Sequence, residues 1–296
     1  MVAPACLLGI DWGTSKRRAY VIDAAGHCLR KHEDAQGALA IAGRFAASLQ
    51  HLRDELNLSQ HVPVLMSGMV GSASGWQEVA YLDSSVPLER LAQTLVPVSG
   101  APGCFIVPGY CHRDQGGIDV MRGEETQLLG AWLLGHGDGC YLLPGTHSKW
   151  VELSGGLIVR MTTFMTGELF ATLQERGTLA ALMGGGIDDT EALRSGAIRA
   201  QTGDTLSHTL FEARARVVAG DAPAGATRSY VSGLLIGSEF AAQHGRCMAH
   251  VPVRLLAAAG LSTPYRDVAR LLGYAVQSID PDQAYCTALL GLMEEL

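Results

Sequence analysis

Two short strings in this chain carry residue types that handle phosphate. Asp11-Trp12-Gly13-Thr14-Ser15 places a carboxylate at the end of an apolar run, then a glycine, then two hydroxyls. Gly13 lets backbone N–H groups approach an anion, and Thr14 and Ser15 add donors. Asp11 could hold Mg2+ through water, because that ion keeps several waters and takes one or two carboxylates. The pattern returns as Gly145-Thr146-His147-Ser148-Lys149, after the apolar Tyr141-Leu142-Leu143 and Pro144. There Gly145 and Thr146 could contact phosphate, and Lys149 either adds charge or is a solvated strand lysine. A Walker A loop, G-x-x-x-x-G-K-[ST], is absent from the chain. Either string alone reads as a plain hairpin turn, where Asp and Gly are favoured in any case. Together they could grip a phosphate chain from opposite sides.

A candidate acid–base group lies in Met121-Arg122-Gly123-Glu124-Glu125. A carboxylate at a helix start could accept the proton of a substrate hydroxyl, and negative side chains suit that position without any catalysis. Adjacent residues on a helix point in different directions, so at most one of Glu124 and Glu125 is a base. Arg122 could hold a substrate carboxylate in a bidentate pair or be a surface arginine. Gly260-Leu261-Ser262-Thr263 follows an apolar run; it reads as a nucleoside site at a capped helix start or as an ordinary strand–helix connection. His112-Arg113-Asp114 spells the start of the protein-kinase catalytic loop, but its partner motifs are missing, so it reads as coincidence. The other histidines lack metal-site spacing.

The elements that must position these groups follow from periodicity. Cys6–Asp11, Arg18–Asp23 and Cys28–Glu33 read as an antiparallel meander around the first string. Tyr141–Leu143, Ser148–Leu153 and Leu157–Thr163 read as a second meander around the other. A whole supersecondary unit repeated at this distance points to two domains of common design, with the boundary near Arg122. Helices are expected over Ala38–Leu56, Gly123–Leu134, Gly167–Glu175, Thr190–Ala200, Thr205–Ala219, Thr227–His244, Thr263–Leu272 and Asp282–Glu295. The last of these could return to the first domain. Val62–Ser67, Phe105–Val107 and Val253–Ala258 read as further strands, and Gly68–Pro87 as a long loop of the kind that usually carries function.

The 296 residues, 48% hydrophobic and 17% charged, suit one large or two medium globular domains. A net charge of −7 and the lack of a Lys/Arg-rich patch argue against nucleic acid or an anionic membrane as partner. Apolar runs are too short to span a bilayer, and the N-terminus has no basic region before an apolar one, so no signal peptide is expected. The 7 cysteines, Cys6, Cys28, Cys104, Cys111, Cys140, Cys247 and Cys286, include no C-x-x-C pair. They read as small core hydrophobes in a reducing, cytoplasmic protein. An isologous homodimer is the default assembly.

Seven strings run in order over nearly the whole length: IDWGTSKRRA (10–19), MSGMVGSASGW (66–76), VMRGEETQLLGA (120–131), LLPGTHSKWV (142–151), MTGELF (165–170), SGLLIGSEF (232–240) and AAAGLSTPY (257–265). By these the chain resembles the 2-dehydro-3-deoxygalactonokinases of the actin/hexokinase/Hsp70 superfamily. The resemblance implies an α/β chain of two ribonuclease H-like domains, 1–121 and 122–296, with an ATP cleft between them. It implies an ATP- and Mg2+-dependent transfer to the C6 hydroxyl of a small sugar acid, 2-dehydro-3-deoxy-D-galactonate, in galactonate breakdown. Glu124 would be the base, since Gly123-Glu124 stands where related sugar kinases have Gly-Asp. Asp11 alone would be the metal-linked carboxylate, because the second turn departs from the superfamily's usual Asp-x-Gly pattern, with Pro144 before Gly145. Gly13, Thr14, Ser15, Gly145, Thr146, His147, Lys149, Gly233, Gly260 and Ser262 would bind nucleotide. Gly68, Met69, Val70, Gly71, Ser72, Trp76 and Arg122 would bind the sugar acid. A phosphohydrolase or ATPase, or a nucleotide sensor without turnover, are the other functions this scaffold could serve.

Overall fold

The computed structural model describes residues 5–184, 188–246 and 251–294; Cys247 and Glu295 lie outside the described residues. The chain forms two compact units. The first takes Met1–Asp138, Leu153–Met161 and Asp280–Leu296, the second Gly139–Glu152 and Thr162–Ile279. This differs from a division at 121/122: the helix after Gly123 and the last helix both belong with the first unit.

In the first unit, β1 (Leu7–Trp12), β2 (Arg17–Ile22) and β3 (Cys28–Asp34) form the expected antiparallel meander. α1 (Phe45–Glu55) precedes β4 (Val64–Gly68), which lies parallel to β1. β5 (Leu82–Asp83), β6 (Val96–Pro97) and β7 (Cys104–Ile106) follow, and the sheet order is β3-β2-β1-β4-β7-β6. All six residues of β1 are buried, as a central strand covered on both faces requires. Leu8, Ile10 and Trp12 pack with Phe45, Leu49 and Leu52 of α1 and with Met66 and Ile106 of the neighbouring strands. Burying each such side chain contributes roughly 1.5–3 kcal/mol.

The helix expected from Ala38 begins only at Phe45. Ala38 and Leu39 instead donate their backbone N–H groups to the Gly13 and Thr14 carbonyls, at 2.9 and 3.2 Å, so this backbone is committed to the first hairpin. The hairpin of β8 (Tyr110–Asp114) and β9 (Gly117–Met121) is not evident from sequence patterns; with β5 it makes a separate sheet, β5-β8-β9. His112-Arg113-Asp114 is part of β8, and the His112 ring hydrogen-bonds Ser84 at 2.9 Å, a structural role. β9 leads into α2 (Glu124–Leu133).

The second unit repeats the first topology. β10 (Gly139–Leu143), β11 (Ser148–Ser154), β12 (Leu157–Phe164), β13 (Val253–Leu256) and β14 (Val276–Ile279) make a sheet of order β12-β11-β10-β13-β14, with β10, β13 and β14 parallel; the Leu153–Met161 stretch of β11 and β12 is the part counted with the first unit. Its helices are α3 (Thr166–Glu175), α4 (Ala180–Met183), α5 (Thr190–Arg199), α6 (Leu206–Val218), α7 (Thr227–Ala242) and α8 (Ala259–Leu271). Leu142, Trp150, Ile236, Phe240, Leu255 and Val268 form its core. α8 starts four residues before the expected Thr263, because Leu261 and Ser262 donate to the Ala258 carbonyl and close a first turn there. Ser262 is therefore inside the helix and does not cap it. The last helix, α9 (Pro281–Met293), is capped by Asp280 and packs on α2 and β1 within the first unit.

Among the described cysteines, Cys104, Cys111, Cys140 and Cys286 are buried as core residues, but Cys28 is exposed on β3, an edge strand. No described helix is long and apolar enough to cross a membrane.

Candidate active site

In the first unit, the register of β1 and β2 places Arg18 opposite Asp11. Their side chains pair, Nη2 to Oδ2, at 2.6 Å. Burial pushes the Asp11 carboxyl up and the Arg18 charge opposes that rise. The other oxygen, Oδ1, faces two glycines: a Cβ on Gly68 would lie 3.5 Å from it and one on Gly123 3.7 Å. Both glycines have positive φ, +87° and +112°, a region that side chains rarely adopt. Asp11, the end of β4 and the start of α2 thus meet at one place. Among the described residues no group of three or more His, Cys, Asp or Glu could hold a metal. A single carboxylate oxygen acting through water still suits Mg2+, which takes most of its ligands from water and substrate phosphate.

At the head of α2 the two glutamates divide. Glu124 is half-buried and its Oε2 accepts from the Arg122 N–H at 3.1 Å. Glu125 is fully buried, and its Oε2 accepts from the Gly123 N–H at 2.6 Å. Burial first, and the Glu124 charge second, push Glu125 up to about 8, so it is protonated at neutral pH.

Arg122 is not a surface arginine. Its guanidinium lies over the Tyr81 ring, 4.1 Å from the centroid, and Nη2 donates to the Val79 carbonyl at 2.7 Å. Its Nε and Nη1 are buried and have no hydrogen-bond partner. Nη1 lies against the 68–76 segment, since a Cβ on Gly71 would come within 2.7 Å of it. Of that segment's expected contacts, Val70 is wholly buried, and Met69 and Trp76 pack on the core, Trp76 stacked on Phe45. Ser72 donates to the Met69 carbonyl and shapes the turn. The Val70 side chain is therefore turned into the core, Trp76 is partly buried against it, and Gly71 and Arg122 come together.

The first turn is half-buried at Gly13 and Thr14 and exposed at Ser15. It is backed by Gly37, where a Cβ would fall 2.3 Å from the Ser15 carbonyl carbon. The second turn is backed in the same way. A Cβ on Gly167 would fall 2.2 Å from the Gly145 oxygen, and Glu168 donates its N–H to the Thr146 carbonyl at 2.9 Å. Thr146 and His147 are exposed, and His147 pairs with Glu168 at 2.6 Å. Lys149 is buried, not solvated, and donates to Thr163 Oγ1 at 2.9 Å.

Beside this second turn lies a cavity of about 450 Å3. Gly145, Thr166, Gly167, Ser232, Gly260 and Tyr265 are among its lining residues. Its size is that of small-molecule sites in general. Gly233 and Ser262 do not line it. Gly233 is a helix-packing residue: a Cβ there would meet the Leu193 oxygen of α5 at 1.8 Å.

A family model described as 2-keto-3-deoxy-galactonokinase matches residues 11–292. This chain belongs to that family. It is 34% identical over 284 residues to a protein of Rhizobium meliloti (strain 1021) named as a probable 2-dehydro-3-deoxygalactonokinase, covering 93% of this chain and 92% of the relative. It is 32% identical over 279 residues to the 2-dehydro-3-deoxygalactonokinase of Escherichia coli (strain K12), covering 94% of each. A crystal structure from Sinorhizobium meliloti, provisionally named a 2-dehydro-3-deoxygalactonokinase, superposes with a TM-score of 0.88 at 32% identity, over 98% of this chain and 95% of that one. The (R)-2-hydroxyglutaryl-CoA dehydratase component A of Acidaminococcus fermentans, at a TM-score of 0.56 and 10% identity over 98% of each chain, shares the fold.

As a member of this kinase family the chain is a phosphotransferase, and its fold is that of the actin/hexokinase/Hsp70 superfamily. Three residues that shape its sites are not singled out by the sequence motifs. Arg18 was legible in principle, because a hairpin around Gly13-Thr14 sets it opposite Asp11. Gly37 is a lone glycine ahead of an apolar stretch. Glu239 is a single acid in the apolar string SGLLIGSEF, a charge on what proves to be a buried helix face.

Proposed function

We propose that this kinase transfers the terminal phosphoryl group of ATP to the C6 hydroxyl of 2-keto-3-deoxygalactonate. The family assignment supports the substrate class, and Arg122 carries the reading of the site. A half-buried guanidinium with two buried, unpartnered nitrogens beside the 68–71 turn suits the carboxylate of a keto acid, because charge-assisted pairs are strongest where water is excluded. Glu124, two residues on, takes the proton of the attacking hydroxyl. The C6 oxygen then bonds to phosphorus as the bond to the bridging oxygen of ADP breaks. Glu125 is a poor base at neutral pH, since it already holds a proton.

The first unit thus supplies the acceptor half of the reaction and Asp11. Asp11 would hold Mg2+, which when bound would neutralise charge on the transferring phosphates. The second unit supplies the nucleotide half: the adenosine in the 450 Å3 cavity and the phosphates at Gly145 and Thr146. Its Arg228–Asp188 pair, at 2.8 Å, lies in the cavity lining.

The test is ADP release by the purified chain with ATP and Mg2+, with and without 2-keto-3-deoxygalactonate. Release that depends on the sugar acid is expected; release that ignores it overturns the reading in favour of a hydrolase. Arg122→Met should raise the KM for the sugar acid about tenfold to a hundredfold, the worth of a hydrogen bond to a charged group, and leave the KM for ATP unchanged.

A further inference from the structure

The residue with the densest set of buried hydrogen bonds is one that no sequence motif singles out for a role. Glu239 of α7 is wholly buried. Its Oε2 accepts from Ser148 Oγ at 2.7 Å and from Trp150 Nε1 at 2.8 Å. Its Oε1 accepts from Thr166 Oγ1 at 2.5 Å and from the Tyr265 hydroxyl at 2.6 Å. Two oxygens with four donors use the full accepting capacity of a carboxylate, and only the ionised form can accept at all four. Burial opposes that charge and pushes the carboxyl up, while all four hydrogen bonds pull it down.

The four donors are not scattered. Ser148 is the first residue of β11, directly after the second turn. Thr166 opens α3, whose next residue, Gly167, packs on Gly145. Tyr265 belongs to α8, and both Thr166 and Tyr265 line the cavity. One buried carboxyl group therefore ties the strand leaving the turn to the two helices that wall the cavity.

We infer that Glu239 is a positioning residue for the nucleotide, holding Thr166 and Tyr265 in the cavity wall and the Gly145–Thr146 turn in register with them. This rests on the reading that the cavity holds the nucleotide. The carboxyl group is wholly buried and outside the cavity lining, so its effect passes through the four donors.

Glu239→Gln tests this with little change of shape. Trp150 Nε1 can only donate, so the amide oxygen must face Ser148 and Trp150 and the amide NH2 must face Thr166 and Tyr265. Those two hydroxyls then have to turn from donating to accepting, and the disturbance falls on the cavity wall. The expected result is a KM for ATP, and a Kd for ADP by calorimetry, raised about tenfold or more, with kcat and the sugar-acid KM within about twofold. A folded Glu239→Gln chain with wild-type ATP KM and ADP Kd overturns the inference. Ser232→Trp, which fills the cavity, separates this from the reading beneath it. If Ser232→Trp loses ADP while Glu239→Gln keeps it, the inference alone falls; if Ser232→Trp binds ADP normally, both fall. Should Glu239→Gln not fold, Trp150→Phe decides, since it removes one donor without touching the cavity. A raised ATP KM supports the inference, and a wild-type one overturns it.

Discussion

The two hairpins share a backbone design and differ in how they manage charge. In each, an antiparallel pair turns through Gly-Thr, and a glycine from a later segment packs directly on that turn: Gly37 on the first, Gly167 on the second. The first hairpin then carries its carboxylate beside the turn, Asp11, held by one cation across the strand pair. The second has Leu143-Pro144 in the corresponding place, and its carboxylate, Glu239, comes from a distant helix and lies beneath the turn, held by four neutral donors. A carboxylate beside a turn can reach a metal or phosphate; one beneath it can only shape the turn. The repeat thus keeps the geometry and differs in its acids: the first copy has a carboxylate beside its turn paired with an arginine, the second a buried carboxyl beneath its turn held by neutral donors.

Neutralising the acids of the first unit should have the largest effect. Asp11→Asn and Glu124→Gln should each lower kcat, by roughly 10²–10³-fold and 10²–10⁴-fold respectively, with the Kd for ADP nearly unchanged. A variant of either kind with wild-type kcat removes that residue from the reaction. The shared backbone device is tested by Gly37→Ala and Gly167→Ala. Each Cβ would meet backbone, so each should cost about 1–3 kcal/mol by overpacking and raise the KM for ATP. Equal losses in denaturant unfolding support a common device; a neutral Gly37→Ala shows that only the second turn needs its backing.

Titration sharpens the contrast between the neighbouring acids of α2. Glu125 moves from an ordinary 4.5 to about 8 on folding. Between those values the native state holds a proton that the unfolded chain has lost, so stability falls as pH rises through this window, by up to about 1.4 kcal/mol per pH unit. Glu125→Gln should remove that component, and its Tm should vary less with pH than that of the wild type between pH 5 and 8. A Tm profile parallel to the wild type would show Glu125 to be ionised in the fold. The smallest effect belongs to His147→Gln. The His147–Glu168 pair is nearly half exposed, and such pairs contribute about 0–1 kcal/mol, so the melting temperature should barely move.

Much of this architecture is legible in the sequence. The two meanders, the helices of the second unit and the adjacency of Gly-Thr turns to strand ends follow from apolar periodicity and turn residues, which are local signals. Segments that depend on distant contacts are not legible in the same way. The stretch from Ala38 has helical spacing, yet its N–H groups go to Gly13 and Thr14. The hairpin of β8 and β9 has a polar tip and weak alternation, yet it delivers Arg122 to Val79 and Tyr81. Within MSGMVGSASGW the residue types do not say which side chains face a ligand; the fold turns Val70 into the core and leaves Trp76 half-buried against it.

By itself the sequence determined the repeated strand–turn–strand units, the acid at the end of the first one and the pair of glutamates opening α2, because each is written in consecutive residues. Tertiary structure alone decided which of those groups are charged and what they face. Arg18 reaches Asp11 only through strand register, Glu125 is protonated only because packing removes its water, and Glu239 finds four donors spread from Ser148 to Tyr265 only when three elements close around it. Electrostatic free energy depends on distance and solvent access, and neither of these is local in sequence.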